Sequence, residues 1–378
     1  MLIVRGAIKD YDWGIIDGLQ PWSGLSTGGP QAELWFGVHP GGPSPLVDHS
    51  GAPTGELLAD HFDIEAIPLL VKLLAAARPL SVQLHPTRAV AAAGWEAQHQ
   101  PDHPPVFSDP FEKTEMLVAL DDFEAFAGWR EVEEAIAVLA HLPGTAEAID
   151  HLGRADRASA IRGLLAAGSP EAVAGLEAAA RAAGLPDEQV AAYRTVAESY
   201  PMDAGAVLTP LLAYLRLRAG QAVYVPAGLP HSYIRGTGLE VMTSSDNVIR
   251  LGLTSKAVFV DHAIDALVDG IAPQFMDTEH GDLIWPARAP FVVRMVSSGE
   301  ERIPSGAYRI VLLIEGSARV ESEFGEVALR PGTAAVISAD DPDSFVIADG
   351  LVAIVQSTEL RDDVRTRHET LGTDPDEH

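Results

Sequence analysis

Three short segments, far apart in the chain, each join a strand-like pattern to side chains of the kind that bind metals. Polar and apolar positions alternate in residues 80–86, so Gln83 and His85 share one face of a predicted strand. Residues 113–115 carry a lysine and a glutamate just before another apolar run. Residues 220–231 predict a strand, a Pro/Gly turn and then a histidine. The pattern predicts β-structure in which these segments meet at one polar site.

The side chains of these segments predict a metal site. A single buried histidine is more often a satisfied core residue than a ligand, but three segments of the same character favour a ligand set. The four candidates are Gln83, His85, Glu115 and His231. One amide oxygen, one carboxylate and two imidazoles suit a divalent ion such as zinc and leave positions open for substrate oxygens. We therefore predict one zinc ion per chain.

Composition excludes several classes of partner. With 378 residues, 47% of them hydrophobic, the chain can bury more than one core. A formal net charge of −28 argues against nucleic acid and anionic membrane as partners, since both need a basic surface. Cysteine is absent, no apolar run approaches the ~20 residues of a membrane span, and residues 1–6 lack a signal-peptide pattern. We expect a cytoplasmic protein and a monomer.

Lysine is rare in this chain. The lysines are Lys9, Lys72, Lys113 and Lys256, against 22 arginines. A lysine ammonium is a compact charge whose pKa falls readily on burial, so it can serve as an acid or a base. Lys72 lies in an apolar run, and Lys113 lies two residues from a candidate metal ligand. We predict functional roles for both.

The fold class follows from a change of pattern along the chain. Short apolar runs between Gly and Pro turns predict mostly strands at both ends, whereas residues 131–210 have helical periodicity and no evident chemistry. We predict helices over 131–142, 156–167, 170–183, 186–200 and 258–268. The predicted fold is mainly β, with jelly-roll sandwiches and an α-helical insert. The expected limits are 1–130 and 211–270 for the catalytic β-domain, 131–210 for the insert, 271–360 for a C-terminal sandwich and 361–378 for a flexible tail.

Residues 220–231 match the second cupin signature. Its fixed positions are Gly220, Pro226, Gly228 and His231. This resemblance implies a cupin-type jelly roll with a metal-binding histidine, but it does not specify a reaction. In the C-terminal sandwich Ser338 stands where the proline would be, and no histidine follows in residues 339–345. We therefore expect that second cupin-like sandwich to lack metal ligands.

Other segments resemble a narrower family. Residues 80–86 resemble the strand that supplies a glutamine and a histidine to zinc in type I mannose-6-phosphate isomerases. Residues 109–116 resemble their Lys-x-Glu segment, and residues 239–256 are close to the signature of that family. Residues 11–14 and 32–40 also look like family segments. By these motifs the chain is identified as a member of the family, with a resemblance that runs from Tyr11 to about Asp265 and is interrupted by the helical insert.

The resemblance implies an aldose–ketose isomerase that interconverts mannose 6-phosphate and fructose 6-phosphate through an enediol(ate), in mannose metabolism and GDP-mannose synthesis. A divalent ion polarises the carbonyl, and a base moves the proton of the neighbouring carbon. Arg250 looks like the active-site arginine of the family, which stabilises the enediolate or orients the sugar. Lys113 is the first candidate for proton transfer and Asp246 the second. The candidates for the 6-phosphate are Ser81, Lys72 and Lys256.

The chain departs from the family at two positions, and two other functions stay open. Glu112 stands where relatives often have histidine, and Thr114 stands where proline is usual, so no role is carried over from that histidine. One alternative is another metal-dependent cupin enzyme, such as a dioxygenase, although those typically use several histidines. The other is a cupin that binds a sugar phosphate without catalysis.

Overall fold

The structure is a computed structural model that describes residues 1–101, 103–277, 281 and 283–358. The tail predicted for residues 361–378 lies outside the described residues. The strands are β1 (Leu2–Arg5), β2 (Ala7–Lys9), β3 (Ile15–Ile16), β4 (Pro30–Gln31), β5 (Glu33–Phe36), β6 (Pro45–Val47), β7 (Pro53–Leu57), β8 (Leu69–Ala76), β9 (Val82–Leu84), β10 (Glu115–Ala119), β11 (Phe123–Trp129), β12 (Leu212–Leu217), β13 (Gln221–Val225), β14 (His231–Thr243), β15 (Ile249–Gly252), β16 (Gln274–Asp277), β17 (Phe291–Ile303), β18 (Arg309–Leu313), β19 (Ser317–Ser322), β20 (Gly325–Leu329), β21 (Thr333–Ile337) and β22 (Ser344–Ser357). The helices are α1 (Gln20–Ser23), α2 (Arg88–Gln98), α3 (Val132–Leu139), α4 (Ala146–Gly153), α5 (Arg157–Ala167), α6 (Pro170–Ala174), α7 (Leu176–Ala182), α8 (Asp187–Ser199) and α9 (Val260–Ala266), with 3₁₀ turns at Leu58–Asp60 and Ala204–Leu211.

The predicted fold class, mainly β with a helical insert, is confirmed. The first sheet is organised around β14, whose start pairs with β11 and β9 and whose later part pairs with β10 and β8. The order β16-β13-β10-β14-β8-β5-β2 completes its main path. Because β14 passes from one set of neighbours to the other, it brings distant segments of the chain to one place.

The second sheet contains strands from both ends of the chain. Its order is β20-β19-β22-β18-β21-β1-β6-β7, and β17 pairs with β22. Thus β1, β6 and β7 join the C-terminal sheet, while β16 pairs with β13 of the first sheet. Sheet pairing therefore crosses the domain limit expected near residue 270 in both directions. This pairing could not be predicted, because the register between strands so far apart in sequence leaves no local pattern. The domain limits remain a prediction.

The two sheets pack face to face through a shared apolar core. On β8, Val71 and Leu73 face this core, which also contains Ile310 and Val336 of the second sheet. Each such fully buried side chain contributes about 1.5–3 kcal/mol to folding. The alternate residues of β8, including Lys72, point to the opposite side of the first sheet. That opposite side carries the polar site.

The helical insert lies between β11 and β12 and packs on the first sheet. Its core joins Leu139, Leu164 and Tyr193 to Phe126 of β11 and Leu84 of β9. The helix predicted over 170–183 is two helices, α6 and α7, which are separated at Gly175. Neither α4 nor α2 was predicted. No helix in the described part of the chain is long and apolar enough to cross a bilayer.

Candidate metal centre

Two histidines and a glutamate meet where three strands of the first sheet begin or end. His85 directly follows β9, Glu115 begins β10 and His231 begins β14. Their candidate ligand atoms all lie within 4.8 Å of one another, and all three side chains are buried. The register places His231 opposite Gln83, so the fourth candidate lies beside this triad.

A tight turn delivers His231 to the triad. Gly228 has a φ of 85° and donates its N–H to the carbonyl of His85 at 2.7 Å. A Cβ atom at Gly228 would come within 2.4 Å of Val268 Cγ2, and a positive φ disfavours other residues. Glycine is therefore required at this position, and its hydrogen bond fixes the turn next to His85.

Hydrogen bonds to the backbone fix the tautomers of both histidines. His85 Nδ1 donates to the carbonyl of Asn247 at 2.9 Å, and His231 Nδ1 donates to the carbonyl of Leu229 at 3.1 Å. In the neutral form of each ring, which is the form that binds metal ions, Nε2 is then a lone-pair acceptor. These atoms face the Glu115 carboxylate at 3.0 Å and 3.1 Å, so acceptors point at acceptors. Among the described residues, buried His85 Nε2 has no hydrogen-bond partner, and buried Glu115 Oε2 has no donor other than the Lys113 ammonium, which lies 3.1 Å away. This donor set fits a tetrahedral cation such as zinc.

The electrostatics of the triad give the protonation states that a metal needs. Burial, aided by the nearby Lys113 cation, lowers the pKa of His85 to about 3, so its imidazole is neutral. Burial alone would raise the pKa of Glu115, but Lys113 and the two histidines outweigh burial and hold that pKa well below its usual value. A neutral imidazole and an anionic carboxylate are the forms that bind metal ions.

Gln83 can complete the ligand set. Its Oε1 accepts a hydrogen bond from Ser81 Oγ at 2.8 Å, and its Nε2 lies 3.3 Å from His231 Nε2. Turning the amide by 180° presents Oε1 to the imidazole, and Ser81 can then accept from Nε2, because a hydroxyl both donates and accepts. The site therefore accommodates Gln83 as an oxygen ligand.

The metal centre lies beside a cleft of about 770 Å³ that gathers the other predicted site residues. These lining residues are Ser81, Lys72, Lys113, Asp246, Arg250 and Lys256. They come from strands β8 and β15 and from the irregular segments next to β9, β10 and β15. The cleft thus unites all the residues for which the sequence predicted a role in substrate binding or proton transfer.

Lys72 is already neutralised by two carboxylates. Its Nζ lies 3.3 Å from Glu33 Oε1 and 3.0 Å from Glu240 Oε2, and all three side chains are buried. Burial would lower the pKa of Lys72, but Glu240 and Glu33 outweigh burial and raise that pKa above its ordinary range. Lys72 was predicted to bind the phosphate, but its positive charge is already taken up by these two carboxylates. The apolar run that contains Lys72 gives no indication of these partners.

Two cations of the cleft remain available to an anion. Neither Arg250 nor Lys256 takes part in an ion pair within the described residues. The guanidinium of Arg250 donates to the carbonyl of Val248 at 3.4 Å, and burial lowers its pKa against the opposing effect of Asp246. The ammonium of Lys256 lies 5.7 Å from the ring centre of Tyr11.

Three further residues line the cleft and were not predicted from the sequence, namely Glu240, Tyr233 and Glu33. Burial raises the pKa of Glu240, although Lys72 opposes that shift. Tyr233 donates its hydroxyl to Glu115 Oε1 at 2.9 Å and so orients a metal ligand. Glu33 completes the pair around Lys72. Tyr233 follows His231 by two residues and shares its face of β14, a signal that could have identified it.

Comparison with known proteins gives one consistent result. Residues 1–132 match the family described as phosphomannose isomerase type I, catalytic domain. The mannose-6-phosphate isomerase of Schizosaccharomyces pombe is 30% identical over an alignment that covers 89% of this chain and 94% of that protein. That of Salmonella typhimurium is 29% identical with the same coverage of 89% and 94%.

Solved structures agree with this result. A variant of phosphomannose isomerase from Salmonella typhimurium superposes with a TM-score of 0.79 at 26% identity, covering 95% of this chain and 100% of the other. A mannose 6-phosphate isomerase bound with zinc and yttrium gives a TM-score of 0.75 at 26% identity, again covering 95% and 100%.

Proposed function

This chain belongs to the type I phosphomannose isomerase family, and from that membership we propose that it interconverts mannose 6-phosphate and fructose 6-phosphate in the cleft described above. The observation that carries the proposal is the buried triad of His85, Glu115 and His231, which lies beside a cleft with two unpaired cations. Such an activity supplies mannose phosphates for GDP-mannose synthesis. A cytoplasmic location and a monomeric state accompany the proposal.

Zinc is the cofactor, held by the triad together with Gln83. A structural relative is bound with zinc. In the triad the imidazole Nε2 atoms face the Glu115 carboxylate, and a cation between them would satisfy these acceptors. When bound, zinc polarises the sugar carbonyl and stabilises the charge that develops on the sugar oxygens. Tyr233 holds Glu115 in place through its hydroxyl, and the two backbone carbonyls hold the imidazoles so that both Nε2 atoms would be available to a bound ion.

The isomerisation moves a proton between C1 and C2, so the cleft must supply a base. We assign this step to Lys113, which lines the cleft and lies 3.1 Å from Glu115 Oε2. Asp246 is the second candidate, because its carboxylate lines the same cleft. Glu240 is a third, since a buried carboxylate with a raised pKa suits proton transfer near neutral pH.

The permanent positive charge of Arg250 can stabilise the enediolate that forms when the base removes the proton. Arg250 stays protonated, so it cannot accept the carbon-bound proton. Its guanidinium lines the cleft without a carboxylate partner among the described ion pairs and can face the enediolate oxygens. We therefore assign Arg250 to charge stabilisation and to orientation of the sugar.

The 6-phosphate needs donors and uncompensated positive charge. Lys256 supplies the charge, and the Ser81 hydroxyl supplies a donor on the segment that also carries Gln83. Lys72 contributes indirectly, because its ammonium offsets one of the two negative charges of Glu33 and Glu240, which would otherwise repel a dianion more strongly. The phosphate thus binds at the Lys256 side of the cleft.

A coupled assay for fructose 6-phosphate tests the proposal. The purified protein should convert mannose 6-phosphate, lose that activity to a chelator and regain it with zinc. A dioxygenase would instead consume oxygen and form no fructose 6-phosphate. A binding protein without catalysis would bind the sugar phosphate in calorimetry and show no turnover.

A further inference from the structure

The helical insert ends in a segment that forms one wall of the cleft. The residues of this wall are Tyr200, Pro201, Met202, Asp203 and Ala204. They follow α8 and precede β12, and no sequence motif assigned them a role. The insert therefore reaches the substrate site, although all its helices pack elsewhere on the sheet.

Two irregular segments that line the cleft each carry one basic residue, and we call them the basic segments: residues 77–81, with Arg78, and residues 253–258, with Lys256. Tyr200 binds the first of them. Its hydroxyl donates to the carbonyl of Pro79 at 2.7 Å. Pro79 lies between β8 and β9, in residues 77–81, which belong to no strand. This stretch carries Arg78 and Ser81, both of which line the cleft. The Arg78 guanidinium also lies 6.0 Å from the centre of the Tyr200 ring.

Asp203 holds the second basic segment. Its Oδ2 accepts the backbone N–H of Thr254 at 2.9 Å, while its Oδ1 accepts that of Gly205 at 2.7 Å. The hydroxyl of Thr254 in turn accepts the backbone N–H of Lys256 at 3.1 Å. Residues 253–256 form bends and residues 257–258 have no regular structure, so no strand pairing fixes Lys256.

The contact between the insert and this second segment is a close backbone approach. A Cβ atom at Gly205 would lie 2.3 Å from the Cα atom of Gly252, which ends β15 just before Thr254. Neither position accepts a larger residue without moving the backbone. The start of the 3₁₀ turn Ala204–Leu211 is therefore fixed against the segment that carries Lys256.

We propose that Tyr200 and Asp203 are positioning residues through which the helical insert holds both basic segments in the geometry that binds the 6-phosphate. The inference rests on the proposed function. Two irregular segments must present Ser81 and Lys256 to one small dianion, since Arg78 is already paired with Asp12 Oδ2 at 2.5 Å. Each segment has a single side-chain hydrogen bond from the insert. Loss of either bond removes the support that the insert gives its segment, although Leu80 keeps its hydrogen bonds to the Tyr233 carbonyl and the Ser232 hydroxyl. Binding of the phosphate therefore weakens while the metal centre is unchanged.

The experiment compares Tyr200→Phe and Asp203→Asn with matched variants in the same insert. Tyr193→Phe also removes a hydroxyl, one that accepts from Arg130 Nη2 at 3.2 Å away from the cleft. Asp156→Asn alters another aspartate that accepts a backbone N–H, that of Ser159 at 3.0 Å. Each variant is measured for KM and kcat with mannose 6-phosphate, for inhibition by inorganic phosphate, and for Tm.

We expect Tyr200→Phe and Asp203→Asn to raise both KM and the inhibition constant of phosphate about three- to tenfold, the scale of one lost hydrogen bond. Asparagine has one acceptor oxygen for two N–H donors, so the Thr254 contact weakens without a change of shape. The matched variants should change Tm by similar amounts but leave KM and phosphate inhibition at wild-type values.

Equal KM and phosphate inhibition in all four variants, with an active wild type, would overturn the inference and leave the proposed function standing. An inactive wild type would overturn the proposed function. In that case calorimetry with inorganic phosphate decides the positioning role, since weaker binding by Tyr200→Phe and Asp203→Asn alone supports it and uniform binding refutes it. If Asp203→Asn does not fold, Tyr200→Phe gives the answer alone.

Discussion

Replacing Lys113 by arginine separates its charge from its ability to release a proton. The Lys113 ammonium lies 3.1 Å from Glu115 Oε2, and the residue is 5% exposed. A guanidinium keeps positive charge beside the metal ligand but does not deprotonate in a protein. If Lys113 moves the proton, Lys113→Arg should lower kcat by about 10²–10⁴, or ~2.7–5.4 kcal/mol of activation free energy.

The assay is kcat against pH, with zinc content and Tm measured on the same preparations. Zinc content and Tm are needed as controls because the arginine side chain is larger than that of the buried Lys113. A displaced Glu115 would appear as lost zinc or a lower Tm. The wild-type kcat should fall on the acid side as the base takes up a proton, and Lys113→Arg should lack that limb. Arg250→Lys should lower kcat through loss of the planar fork but keep the limb.

The assignment of Lys113 as the base would be refuted by a Lys113→Arg variant that retains zinc and has a kcat near the wild-type value. Proton transfer would then pass to Asp246 or to Glu240, the two cleft carboxylates proposed as alternative bases. The same pH series on Asp246→Asn and Glu240→Gln would identify which of them accounts for the limb.

Substitutions at His231, Lys256 and Lys72, and a substrate without phosphate, test the metal centre and the charges of the cleft. His231→Ala removes one imidazole of the triad, so metal analysis should show loss of zinc together with loss of activity. Unphosphorylated mannose lacks the phosphate that we propose Lys256 binds, so its kcat/KM should fall far below that of mannose 6-phosphate, and comparable values would contradict the assignment. Lys72→Met leaves Glu33 and Glu240 as buried carboxylates without their cation, and denaturant titration should show a loss of about 3–5 kcal/mol of unfolding free energy. Lys256→Met should leave that free energy almost unchanged and raise KM.

Local patterns explain what could be predicted. The alternation around Gln83 and His85 identifies a strand face without knowledge of its neighbours, and the turn before His231 has a sequence signature of its own. The zinc site and the mainly β fold could therefore be predicted from short segments. The register that places His231 opposite Gln83 then brings those segments together.

Long-range pairing explains what could not be predicted. Lys72 lies opposite Trp35 on one side and opposite Glu240 on the other, so its partners depend on the register of three strands. Membership of β1 in the C-terminal sheet likewise depends on pairing with β21. The hydrogen bond from Tyr200 to Pro79 joins residues 121 positions apart, and no periodicity in the insert predicts it.

If the buried triad holds the zinc on which isomerisation of a sugar phosphate depends, the most direct test is the fructose 6-phosphate formed from mannose 6-phosphate by one preparation as purified, after chelation and after titration with zinc. Activity should disappear on chelation and return in proportion to bound zinc, reaching its maximum at one ion per chain. Full activity in the metal-stripped protein, or none in the zinc-loaded protein, would contradict this role of the triad.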